Sequence, residues 1–170
     1  GAIPIPLNHG CLYSGYTNSN ASTTPITFGG QHFNAPDPSC GGVPTNDVWF
    51  TVQVPPPFGV GDNIVIDSDD GSLTNAAMAI YRVVSGNCTG SLTLTQLACQ
   101  PGNSTNNPAM PVVTLSGATL VAGEILYVRV WREGSGPDGT FLLCARRTDP
   151  PAGNCSFTLR MNDSAGDGWN

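Results

Sequence analysis

Three groups of side chains in this sequence have the types and spacing to do chemistry. The acidic run Asp67-Ser68-Asp69-Asp70-Gly71 sets several hard oxygens within one short segment. Such oxygens suit calcium, which takes about six to eight of them from a flexible loop. The same residues suit a solvated turn, where Asp and Gly serve backbone geometry. A second acidic pair, Asp163 and Asp167 around Gly166 and Gly168, has the makings of another calcium loop. The third group is aromatic: Tyr13, Tyr16, Trp49, Tyr81, Tyr127, Trp131 and Trp169. Exposed rings stack on sugars, whereas rings on strands more often fill half-buried pleated surfaces. Arg129, between Val128 and Val130, is expected on an outer face beside Tyr127 and Trp131, satisfied by stacking or by a carboxylate.

No catalytic centre can be assembled from the sequence with comparable ease. The histidines are His9 and His32, both in the N-terminal region, and there is no Gly-x-Ser-x-Gly elbow, no His-Glu-x-x-His and no glycine-rich phosphate loop. Glu124 and Glu133 are the only glutamates. Paired carboxylates for glycoside hydrolysis need only meet in space, but no cleft signature accompanies these two, and the chain reads as non-enzymatic.

The surroundings of these groups narrow the function classes. With 170 residues, no lysine and a formal net charge of -6, the chain suits one domain plus a stub and repels nucleic acid. No apolar stretch approaches the roughly 20 residues of a membrane span. The N-terminus lacks the basic and apolar regions of a signal peptide, so an export signal is taken as already removed. Six cysteines, Cys11, Cys40, Cys88, Cys99, Cys144 and Cys155, in a chain with only 11% charged residues point to disulfides and an oxidising, extracellular setting. Zinc competes for them, but no Cys-x-x-Cys pair occurs. Asn20-Ala21-Ser22 and Asn103-Ser104-Thr105 are glycosylation sequons that mark surface loops.

The elements that must carry these residues alternate at period two. In Asp47 to Val54, the set Val48, Phe50, Val52 and Val54 faces one way and Trp49, Thr51 and Gln53 the other, until Pro55-Pro56-Pro57 stops the strand. Further strands are expected over 24–28, 63–67, 76–84, 91–98, 112–115, 125–131, 140–145 and 156–161. Turn signals separate them at 59–62, 69–71, 85–87, 101–103 and 134–139. About eight strands spaced like this favour an all-β sandwich or jelly roll over a barrel.

One ordered set of motifs resembles a known family. Asp47-Val48-Trp49-Phe50, then Gly71-Ser72-Leu73-Thr74 running into Ala77-Met78-Ala79-Ile80-Tyr81, then Cys88 and Cys99, Leu126 to Trp131, Gly139-Thr140-Phe141 and Cys144 resemble bacterial pre-peptidase C-terminal-like domains. The resemblance spans 1–148 and is nearest to modules of large secreted surface proteins of Bacteroidota. It implies a disulfide-stapled, jelly-roll-like antiparallel β-sandwich that sits without catalytic function beside proteases, adhesin repeats or sorting domains. It also implies the pairs Cys11–Cys40 and Cys88–Cys99, out of 15 connectivities open to six cysteines. In relatives Cys144 pairs upstream of this chain's first residue, so here it joins Cys155 or lacks its usual partner. Relatives often carry an aspartate run after the second hairpin cysteine, where this sequence has Gln100-Pro101-Gly102.

Residues 149–154 read as a linker, and 155–170, ending in Asn162-Asp163-Ser164-Ala165-Gly166-Asp167-Gly168-Trp169-Asn170, as the first strand and turn of a following β module. The expected function is a secreted or cell-surface module that mediates adhesion to an extracellular glycan or protein. The alternative is a structural module that packs against neighbouring copies or domains.

Overall fold

The computed structural model describes residues 1–23, 27–28, 31–86, 91–102 and 109–149, with backbone alone at 27–28 and 31–33. Among these residues the chain runs β1 (Ile3–Pro4), β2 (Leu7–Asn8), β3 (Ser14–Thr17), β4 (Thr27–Phe28), β5 (Gln31–Asn34), β6 (Val48–Gln53), β7 (Asn63–Asp70), β8 (Ala76–Gly86), β9 (Leu92–Gln100), β10 (Val112–Ser116), β11 (Ile125–Arg132) and β12 (Thr140–Thr148). A single 3-10 turn, Gly117–Thr119, lies between β10 and β11. The expected linker at 149–154, beyond Asp149, and the following module lie outside the described residues.

Two sheets form the sandwich: a seven-stranded sheet ordered β1-β6-β11-β8-β9-β5-β4, and a five-stranded sheet ordered β10-β7-β12-β2 with β3 also on β12. The long strands pair antiparallel, and among the described strands parallel pairing is confined to β1 on β6, β2 on β12 and β5 on β9. Because alternate side chains face opposite sides of a strand, one set from each sheet meets in the middle. Phe50, Val52, Met78, Ile80, Leu126, Val128 and Val130 from one sheet pack on Ile64, Ile66, Val113, Leu115, Phe141, Leu143 and Ala145 from the other. Tyr16 joins this core, its ring 4.7 Å from that of Phe50 and edge-on to it.

A second cluster forms on the outer face of the seven-stranded sheet. There Ala77, Ala79, Tyr81, Leu92, Leu94 and Trp131 are buried. Their cover is the segment 35–47, which lies across small side chains that let backbone approach. Trp131 donates its indole N–H to the Gly41 carbonyl at 3.0 Å, and Tyr81 donates to the Pro36 carbonyl at 3.4 Å. Gly41 is at φ 69°, and any Cβ there would run into Ala77 and the Trp131 ring, so glycine is required on both counts. Ser39 and Gln96 exchange hydrogen bonds, and a disulfide joins Cys40 to Cys99 in β9 with Cα atoms 5.8 Å apart.

The disulfides correct the family-based pairing. Cys11 bonds Cys144, not Cys40, with Cα atoms 5.5 Å apart. The register supplies the reason. β2 pairs with β12 at Ala145 and Arg146, and β3 pairs with it at 140–143 on the same edge. Cys11 lies in the reversal between β2 and β3, which sets it against Cys144. Cys99 is therefore taken by Cys40, and Cys144 by Cys11, which leaves neither for the expected Cys88 or Cys155. Both of those lie outside the described residues.

The loop from β6 to β7 is tied down by charge. Asp62 accepts from the Gly59 amide at 2.6 Å and from Arg147 at 2.9 Å, and Arg147 stacks over the Phe58 ring at 5.5 Å. The Gly59 hydrogen bond foremost, and then Arg147, hold the Asp62 carboxyl below its ordinary pKa. A depressed folded pKa stabilises above the unfolded value and is lost as pH falls through the folded one. Acid unfolding followed from about pH 5 to about pH 2 should therefore be less steep in Asp62→Asn than in the parent chain. An identical acid limb in the two would refute this role.

Candidate functional site

The acidic run is where sequence and structure first part. Asp67 to Asp70 continue β7 instead of forming a turn, and the chain bends only at Gly71. Aspartate is a poor strand former, yet these residues pair with 141–144 of β12. Ser68 faces inward and is buried, its hydroxyl donating to the Pro111 carbonyl at 2.6 Å. The strand's alternation then sends Asp67 and Asp69 to the outer face of the five-stranded sheet and Asp70 away from it. Among the described residues no group of three or more His, Cys, Asp or Glu is placed to hold a metal ion. Asp163 and Asp167 lie outside the described residues.

The aromatic set divides by burial. Tyr81 and Trp131 are fully buried, and Tyr16 packs on the core. Trp49 and Tyr127 are half-buried against the outer cluster. Tyr13 alone of the described set is strongly exposed, at 42%. Trp169 lies outside the described residues. Arg129 takes a carboxylate and a ring, but the ring is Trp49 and not Tyr127 or Trp131: its Nε donates to Asp47 at 3.0 Å, and its guanidinium carbon lies 5.2 Å from the Trp49 ring centroid. Trp49 donates to the same Asp47 oxygen at 2.6 Å.

Both glutamates serve the scaffold. Glu124 binds Arg82 at 2.6 Å and the Val121 amide at 2.6 Å. Glu133 accepts from the Gly102 amide at 2.7 Å. His9 lies 3.5 Å from Asp149 at an exposed position; the His32 side chain is outside the described residues. The buried Asn18 holds the Gly139 amide at 2.8 Å and donates to Asp138 at 3.0 Å, fastening the N-terminal segment to the β11–β12 loop.

What remains is the outer face of the five-stranded sheet, where two candidates from different groups converge. Register sets Gly15 opposite Leu142, and Leu142 opposite Asp69. One row along, Thr17 faces Thr140. Gly15, Thr17, Gly71, Thr140 and Leu142, with the flanking backbone of Tyr16 and Phe141, line a shallow groove of about 310 Å³. Gly15 leaves space beside Leu142, and Gly71 is required by the close approach of Thr140. In the other direction Cys144 faces Asp67, which in turn faces Val112. Tyr13 lies over this row: burial, the charges of Asp67 and Asp69 and a hydrogen bond to Asp67 raise its phenol pKa, against a smaller pull from Arg146. The phenol is therefore a neutral donor at any physiological pH, on an exposed residue two positions from Gly15 of the groove.

No protein-family model matches the chain, and no curated protein matches it. Among solved structures it is similar to the pre-peptidase C-terminal domain of collagenase from Bacillus anthracis, at 13% identity and a TM-score of 0.44. That alignment covers 85% of this chain and 94% of that one.

The groove was only half legible in advance. Tyr13, Asp67 and Asp69 all stand in the sequence as candidates, but in separate groups. Gly15, Thr17, Thr140 and Leu142 carry no local signal, because the groove exists only when β3 lies on β12. Gly71 looks like turn punctuation, which it also is.

Proposed function

We propose that this chain is a non-catalytic extracellular module that binds a glycan on the outer face of its five-stranded sheet. The observation that carries the reading is the exposed Tyr13 beside Asp67 and Asp69, next to an open groove whose Leu142 lies opposite Asp69. Aromatic faces receive the apolar side of a sugar ring, while carboxylates accept its hydroxyl protons. The two disulfides support a secreted or cell-surface location. A larger surface protein of the Bacteroidota type is the setting that the sequence motifs suggest.

A glycan array with the folded chain tests this directly. Binding should appear for at least one sugar class and weaken about tenfold in Tyr13→Ala, the upper range for one aromatic contact, with the circular dichroism spectrum unchanged. A flat array from a folded chain would sink the reading.

A second reading, a packing module, is supported by the exposed Leu12 and Val112 near the same row, 69% and 47% accessible. Among the described strands, β10 pairs with β7 alone, and such an edge strand is the kind that pairs with a neighbouring copy. Concentration-dependent self-association on sedimentation, together with a flat array, would favour it.

A further inference from the structure

We propose that the groove selects its sugar by charge, preferring a ring with a protonated amine to its uncharged counterpart and disfavouring uronic or sulfated rings. This rests on the glycan reading above and goes on to the chemistry of the ligand. Asp67 and Asp69 are two residues apart on one strand and share its outer face, so their carboxylates lie within about 7 Å of each other, inside the roughly 8 Å screening length of physiological salt. Arg146, the cation that acts on Tyr13 beside them, offsets only one of the two charges. The chain has no lysine and a formal net charge of -6, so the wider field has the same sign.

The polar capacity beside the groove is unevenly shared. The Thr17 hydroxyl donates to the Gly139 carbonyl and accepts from the Ser19 amide. The Thr140 hydroxyl accepts from the Ser72 amide at 3.1 Å. Asp69 accepts from the Asp70 amide through Oδ1, which leaves Oδ2 to take a ligand N–H or O–H. Tyr13 adds an electron-rich face that attracts an ammonium group in its own right. An ammonium on the sugar gains from both the carboxylates and the ring. An anionic substituent there meets a carboxylate, and among the described residues Arg146 is the one cation acting on Tyr13 beside it.

The test uses the whole chain and three β-1,4-linked tetrasaccharides, of glucosamine, glucose and glucuronate, titrated by calorimetry at physiological and at high salt. The expected order is glucosamine, then glucose, then glucuronate, with about threefold between neighbours, as befits exposed ion pairs. The spread should shrink in 1 M salt and in Asp69→Asn, an exposed position whose exchange leaves the core untouched. Glucuronate bound as tightly as glucosamine, with Tyr13→Ala still weakening it, would overturn charge selection and leave the glycan site standing. An order that ignores salt and Asp69→Asn would also overturn it. Failure of all three sugars, alongside a flat array, would remove the site itself.

Discussion

Replacing Asp47 with alanine should lower the unfolding free energy by about 3–5 kcal/mol, the cost of leaving a buried charge without its partner. The Asp47 side chain is 0% accessible and that of Arg129 is 8%. Two donors converge on Asp47 Oδ2, the Arg129 guanidinium at 3.0 Å and the Trp49 indole at 2.6 Å. Removing the carboxylate leaves the Arg129 charge without an anion on a largely apolar face that includes Ala77, Ala79, Trp131 and the Trp49 ring. Urea unfolding monitored by tryptophan fluorescence measures the loss. The double variant Asp47→Leu with Arg129→Met should recover most of it, because exchanging both partners for apolar groups removes the stranded charge along with the pair. A single Asp47→Ala variant as stable as the parent chain would show that solvent reaches Arg129.

The same pair shows how far the sequence could be read. Asp47-Val48-Trp49-Phe50 and Leu126 to Trp131 disclose strands because their alternation is strict, and the structure pairs them residue for residue, Arg129 opposite Trp49 and Val128 opposite Phe50. Burial of the inward set follows from that alternation. Burial of Trp131 and Tyr81 does not, since both lie on the outer face. Their cover, 35–47, has no period and is rich in Pro, Gly and Asp, which read as loop. The Cys40–Cys99 bridge, the Gly41 approach and the hydrogen bonds at Pro36 and Ser39 reveal it as a lid.

The acidic run failed for a related reason. Asp67 to Asp70 look like a turn by propensity, and tertiary pairing with β12 overrides propensity. The short N-terminal strands β1, β2 and β3 are too brief to show a period, so the position of Tyr13 could not be foreseen. Likewise, cysteine pairing is a property of register, and register between the chain's two ends is not written locally.

That register makes the Cys11–Cys144 bridge the second large lever. It closes a loop of sequence separation 133, for which the chain-entropy model gives a stabilisation of roughly 4–5 kcal/mol at 25 °C. Against the 5–15 kcal/mol typical of a folded domain, Cys11→Ser with Cys144→Ser should leave the chain near the edge of folding. Cys40→Ser with Cys99→Ser, closing a separation of 59, should cost slightly less, because the dependence on loop length is logarithmic. Urea midpoints of the two double variants give the comparison. Non-reducing peptide mapping gives an independent check: a fragment joining Cys11 to Cys144 is expected, and one joining Cys11 to Cys40 would refute the assignment. Loss of the bridge also reaches the groove. Cys11 is two residues from Tyr13 and anchors the start of β3, so the double variant under conditions where it is still folded should bind the preferred glycan more weakly. The Cys40–Cys99 variant, which frees a lid on the opposite sheet, should keep that affinity. Equal losses of affinity in the two would place the ligand somewhere other than the five-stranded face.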